Sequence, residues 1–198
     1  VKALWLFLFL NTPFSYIFNL GAMKFLKRLL FVLLAIIALA LIVALFVKKE
    51  FSISREIVIN KPVSEVFGYV RYIKNQDHYS VWNQLDPSMK KMFTGTDGTP
   101  GFIYAWDGNK NAGKGAQEIK NIIENQKIDI ELRFEEPMQV TNMTTISTEA
   151  VATDKTKVTW SMYGTSAYPF NLLNLCMDAM VGKDLQKNLE NLKAVLEK

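Results

Sequence analysis

The chain has 198 residues, 49% hydrophobic, 12% aromatic and 21% charged, which is too apolar for a disordered protein and long enough for one membrane segment plus one domain of ~150 residues. A single cysteine, Cys176, and a single histidine, His78, exclude an intrachain disulfide framework and any cysteine-cluster or multi-histidine metal site. The net charge of +4 is unevenly placed: residues 1–50 carry six basic groups against Glu50, whereas residues 51–198 carry 17 basic and 18 acidic groups, so there is no basic stripe for a nucleic acid.

Residues 1–22 form an apolar N-terminal stretch, interrupted by Asn11, Thr12, Pro13, Ser15 and Asn19. It reads as a weak first span or as sequence upstream of a natural start at Met23. Residues 23–50 read as a basic flank and a transmembrane anchor. Leu29–Val47 is 19 residues without a polar side chain, about 28 Å of helix against ~30 Å of hydrocarbon. A cleaved signal peptide is the alternative, but the run exceeds the ~7–15 residues of a signal core. Leu45-Phe46-Val47-Lys48 is also a poor cleavage site. The expectation is an uncleaved signal-anchor in the cell membrane, single-pass, or two-pass if residues 3–20 also span. The basic residues near the span are nearly balanced, with Lys24, Lys27 and Arg28 before it and Lys48, Lys49 and Arg55 after it. A start at Met23 adds an α-amino charge to the first side, and a span over residues 3–20 puts the loop 21–28 inside, so both readings expect residues 51–198 outside the cytoplasm. No Gly/Ser- or Pro-rich linker separates the span from the strand-like run at Phe51.

Residues 51–198 form the soluble domain. Phe51–Asn60 alternates, with Phe51, Ile53, Ile57 and Ile59 on one face and Arg55 as the exception, so it predicts a strand. Lys61-Pro62 opens a helix with Val63, Val66, Phe67 and Val70 at helical spacing. A second short helix is predicted over Gln76 to Trp82. Strands come next over Met89–Gly95, Phe102–Asp107, Lys114–Ile123, Lys127–Phe134, Met138–Val151 and Lys157–Ser166, separated by Gly-, Asn- and Asp-rich turns. The cleanest is Lys127–Phe134, where Ile128, Ile130, Leu132 and Phe134 alternate with charged residues. A long amphipathic helix closes the chain, with Leu175, Ala179, Gly182, Leu185, Leu189, Leu192 and Leu196 on its apolar face. The order predicts an α+β helix-grip fold: a curved antiparallel sheet around a long C-terminal helix, preceded by a transmembrane helix.

Over residues 51–198 the chain resembles the START-like (SRPBCC) superfamily, in its polyketide cyclase/dehydrase-type branch. The resemblance lies in REIVINKPVSEVFGYV, the following DHYSVW, GFIYAWDGNKNAGKGAQEI, and VTWSMYG before the last helix. It implies a hydrophobic cavity between sheet and long helix, and no single activity.

Conventional chemistry is sparse. Asp77 is poorly placed to orient His78 as a base, because neighbours on a helix point ~100° apart. Cys176 has no second histidine to activate it and reads as a small core residue. Asp107, Glu118, Asp129 and Glu131 read as turn or outer-face groups rather than a catalytic pair. Neither a phosphate loop nor a cofactor site is indicated.

The aromatic and methionine content is more informative, since such walls suit a lipid-like ligand. Tyr104, Trp106, Ile130, Leu132, Phe134, Trp160 and Met162 are the expected lining. Gly182 either opens room for a ligand or lets the helix approach the sheet. The expected function is a membrane-anchored binding domain for a hydrophobic small molecule or lipid. Two alternatives stand beside it: a cyclase- or hydrolase-type enzyme using the same cavity, and a protein-interaction domain with a filled core. The expected partners are the bilayer, through residues 29–47, and the hydrophobic ligand.

Overall fold

The computed structural model describes the backbone from Phe14 and the side chains from Ala22, in each case to Lys198. The expectation for residues 1–22 falls largely outside the described residues. The chain divides into two units, up to Phe46 and from Val47 onward.

The first unit contains helix α1, Phe14–Phe46. Its Ala22–Phe46 portion has a mean hydropathy of 3.4 over 25 residues, and it exposes large apolar side chains on all sides, Phe25, Leu33, Ile36 and Phe46 among them. By length and composition it is long enough to cross a membrane. It ends one residue before the predicted boundary. Val47 belongs to the second unit, where its carbonyl accepts a hydrogen bond from Asn171 Nδ2 (2.8 Å).

The second unit is a seven-stranded sheet with short helices and a long C-terminal helical segment. The strands are β1 (Glu50–Ile59), β2 (Lys90–Thr94), β3 (Ile103–Asp107), β4 (Lys114–Ile123), β5 (Lys127–Glu136), β6 (Val140–Ala152) and β7 (Lys155–Thr165). They pair antiparallel throughout in the order β1-β7-β6-β5-β4-β3-β2. Alternation sets the inner face: Gly115, Gln117 and Ile119 on β4, Asn142, Thr144 and Ile146 on β6, and Val158, Trp160 and Met162 on β7 are all buried.

Helix α2 (Val63–Val70) follows Pro62 and buries Val66, Phe67 and Val70. The predicted second helix is displaced. A 3-10 helix occupies Ile73–His78 and stops there. Its start is fixed from a distance, because the Asp97 carboxylate accepts from the backbone N–H of Ile73 (2.9 Å) and Lys74 (3.2 Å).

The C-terminal helical segment is broken. A 3-10 turn at Phe170–Leu173 leads into α3 (Asn174–Met177), a π-helical turn at Asp178–Gly182, and α4 (Lys183–Leu196). From Gly182 onward the predicted face is correct, with Leu185, Leu189 and Leu192 buried. Before it, the face slips. Leu175 and Ala179 are exposed, and Met177 and Val181 turn inward instead. A π turn adds one residue to the helical cycle, which rotates everything upstream by ~100°. Cys176, expected in the core, is exposed for the same reason.

At the break, the Arg55 guanidinium lies against Gly182, where a Cβ would collide with it. Arg55 also pairs with Asp178 (2.9 Å). Gly182 therefore serves close approach to the sheet rather than room for a ligand.

Helix α4 is also held by polar side chains at helical spacing. Asp184 accepts from Trp82 Nε1 (3.0 Å), Asn188 accepts from the Val81 N–H (2.7 Å), and Asn191 Nδ2 donates to the Tyr79 carbonyl (3.0 Å). The main core lies wholly between Phe51 and Leu196. Residues 47–198 thus carry a complete core and fold as a unit of their own.

Candidate functional site

The inner face of the sheet is packed at one end and hollow at the other. Ile119, Ile128, Ile130 and Ile146 fill the packed end with α2 and the residues around Ile73. Beyond them, between the sheet and the C-terminal helical segment, lies a cavity of about 400 Å³ that is partly open to solvent.

Six of the seven expected lining residues border it: Tyr104, Trp106, Leu132, Phe134, Trp160 and Met162. Ile130 does not. It is fully buried in the packed end, two residues too early on β5 to reach the hollow. Met177 and Val181 form the opposite wall, turned inward by the π turn. Leu85, Met89, Asn111, Pro137 and Met138 also border it. Two of the connections involved are tied together through Asp86, which accepts from Ser88 Oγ (2.7 Å) and from the Asn109 N–H (2.8 Å).

The aromatic wall is fixed in place. Trp106 lies across Gly115, where a Cβ would sit 2.7 Å from its ring, and its Nε1 donates to the Ala112 carbonyl (3.1 Å). Its ring meets Phe134 edge-on at 5.9 Å between centroids. Trp160 donates to Thr144 Oγ1 (2.8 Å) and contacts Trp82 edge-on at 6.0 Å. Both pairs sit at spacings favourable for aromatic contact.

A polar wall accompanies the aromatic one. Gln76, Gln117, Asn142, Asn83 and Thr144 border the cavity. Gln117 Nε2 donates to Gln76 Oε1 (3.0 Å). Sequence reasoning passed over these residues, although a signal existed: Gln117, Asn142 and Thr144 fall on the inward phase of strands whose inner positions are otherwise mostly apolar.

Asp77 anchors the wall from behind. Its carboxylate accepts from Asn83 Nδ2 (2.7 Å) and the Tyr104 hydroxyl (3.1 Å), and it pairs with Lys91 (2.9 Å). Burial alone would raise its pKa, but the hydrogen bonds from Lys91 and Asn83, the Lys91 charge and the Tyr104 hydroxyl outweigh it and hold the carboxyl below its ordinary value. Burial first, then the Asp77 anion, pushes the Tyr104 phenol up. Asp77 is therefore an anion and Tyr104 a neutral phenol at pH 7.

A depressed carboxyl contributes stability above its ordinary pKa of ~3.9, and that contribution is lost as pH falls through the lower folded value. Asp77→Asn is accordingly expected to lower the urea midpoint at pH 7, with the gap to the parent protein narrowing at pH 3. An equal gap at both pH values contradicts this assignment.

The remaining candidates lie apart. His78 Nδ1 is 3.0 Å from the Tyr69 hydroxyl. Glu118 and Glu131 share Arg133, and Asp129 is held by Lys127, Asn121 and Thr145. Asp107 is exposed at the end of β3. None of these five borders the cavity. Among the described residues, no cluster of three or more metal-ligating side chains occurs.

Solved structures share the fold. Norcoclaurine synthase from Thalictrum flavum, in complex with dopamine and hydroxybenzaldehyde, matches with a TM-score of 0.58 at 12% identity, over 75% of this chain and 87% of that one. A protein from Nitrosospira multiformis matches with a TM-score of 0.53 at 19% identity, over 73% and 95%. A protein from Thermobifida fusca gives 0.52 at 13% identity, over 73% and 92%. At these identities the likeness shows the fold alone. No curated protein matches significantly in sequence. The profile of a family described as polyketide cyclase/dehydrase and lipid transport matches residues 50–197. That match takes in the whole sheet and the C-terminal helix, and the chain belongs to this family.

Proposed function

We propose that the protein is a membrane-anchored binding module that holds a hydrophobic small molecule or a single lipid between the sheet and the C-terminal helical segment. The observation that carries this reading is the cavity: about 400 Å³, walled mainly by aromatic, methionine and aliphatic side chains. That volume lies within the ~300–1,000 Å³ of small-molecule sites. Each Å² of apolar ligand surface buried contributes ~25 cal/mol, so a few hundred Å² offsets much of the association cost.

Helix α1 supplies the anchor through its C-terminal portion, residues 29–46 of the expected span 29–47, and residues 51–198 form the binding domain outside the cytoplasm. No Gly/Ser- or Pro-rich linker separates helix α1 from strand β1. Tyr104, Trp106, Phe134 and Trp160, with Leu132 and Met162, contact the ligand. The filled-core alternative does not suit a domain with this hollow.

Residues 47–198, purified without detergent, are expected to carry or take up a hydrophobic ligand, seen by native mass spectrometry followed by organic extraction. A protein that stays empty and takes up no neutral probe such as N-phenyl-1-naphthylamine defeats the reading. A ligand consumed over time favours the enzyme instead. Anchoring and sidedness have their own test in Cys176, the sole cysteine, which is exposed. A membrane-impermeant maleimide is expected to label it in intact cells, and the full chain is expected to resist alkaline carbonate extraction.

A further inference from the structure

Resting on the binding reading, we infer that the cavity selects ligands that are uncharged, carry one chain or one compact ring system, and bear a hydroxyl or carbonyl group. It discriminates against fatty-acid anions and anionic lipid headgroups.

The charge pattern of the wall comes first. Among the described lining residues only Glu136 is charged at neutral pH, and it is an exposed anion. No lysine or arginine joins it there. Lys91, which reaches Asp77 behind Tyr104, is already paired and is not in the wall. A carboxylate taken out of water needs a cation or several strong donors. This wall has no cation for it, and Glu136 repels it.

The polar wall supplies the positive half of the argument. Gln76, Gln117 and Asn142 are 4%, 7% and 5% exposed, so three amides border an apolar chamber in a nearly dry setting. Gln76 Nε2 and Asn142 Oδ1 have no hydrogen-bond partner. Leaving such groups unpaired is costly, and buried amides are normally satisfied. Asn142 Oδ1 lies against Gly164, so a ligand group meets these amides once they reorient toward the chamber they border. A ligand hydroxyl meets both donor and acceptor, and a carbonyl meets the donor. The size sets the remaining limit, since about 400 Å³ lies near the lower end of small-molecule sites and leaves no room for a two-chain phospholipid.

The test uses residues 47–198 with 1-dodecanol, dodecanoate and N-phenyl-1-naphthylamine at pH 7.5, read by tryptophan fluorescence. Trp82, Trp106 and Trp160 all border the cavity. Dodecanol is expected to bind at least tenfold more tightly than dodecanoate. Glu136→Lys, a change at an exposed position, is expected to close that gap at least threefold by improving dodecanoate binding. Dodecanoate binding as tightly as dodecanol overturns the selectivity while leaving the binding reading intact, as does an unchanged gap in Glu136→Lys. Failure of all three probes to bind removes the binding reading and this inference with it.

Discussion

Val181→Trp is expected to abolish uptake of N-phenyl-1-naphthylamine while leaving the thermal midpoint equal to or above that of the parent protein. Val181 stands in the helical wall and borders the hollow without being part of the sheet. An indole there projects into existing space. Filling a void restores dispersion contacts that its lining lacks. The ligand's volume is then taken by the protein, and affinity is expected to fall at least tenfold. Equilibrium binding and differential scanning fluorimetry on residues 47–198 read the two effects separately. Unchanged binding would place the ligand elsewhere on the domain. A collapsed midpoint would mean that this end of the core is already full.

The second large effect concerns the helix that the sheet grips. Leu189→Ala is expected to cost about 2–5 kcal/mol, the range for deleting a large aliphatic side chain from a packed core. Leu189 is fully buried in the main core cluster. Leu175→Ala is expected to stay within about 0.5 kcal/mol, as for an ordinary surface change, because Leu175 is 65% exposed. In sequence the two leucines occupy the same apolar stripe. Urea denaturation of both variants measures the contrast. Equal losses would mean that the stripe runs unbroken through Asp178–Gly182.

That pair of leucines marks where the sequence was readable and where it was not. Period-2 alternation on Lys127–Phe134 and on the strand containing Trp160 identified the inner face correctly, because each strand has one wet and one dry side. The helix-grip order emerged from the succession of elements. The π turn was not readable. It coincides with an encounter between Arg55 and Gly182, 127 positions apart, and no local pattern announces a meeting of that kind. The early 3-10 helix is similar, since the group fixing its start, Asp97, belongs to a later turn. Ile130 shows a third limit. Alternation says which face a residue is on, but not how far along the strand the packing gives way to space. The amides were the avoidable omission, because inward polar residues on apolar strands are informative by their phase alone.

The entry to strand β1, inside the second unit, carries a mechanical consequence. Residues 47–49 are not a loose cord. Asn171 Nδ2 donates to the Val47 carbonyl, and Asn174 Nδ2 donates to the carbonyls of Lys48 (3.0 Å) and Lys49 (2.9 Å). Strand β1 thus begins from a pinned end, and its first ladder positions are expected to resist fraying.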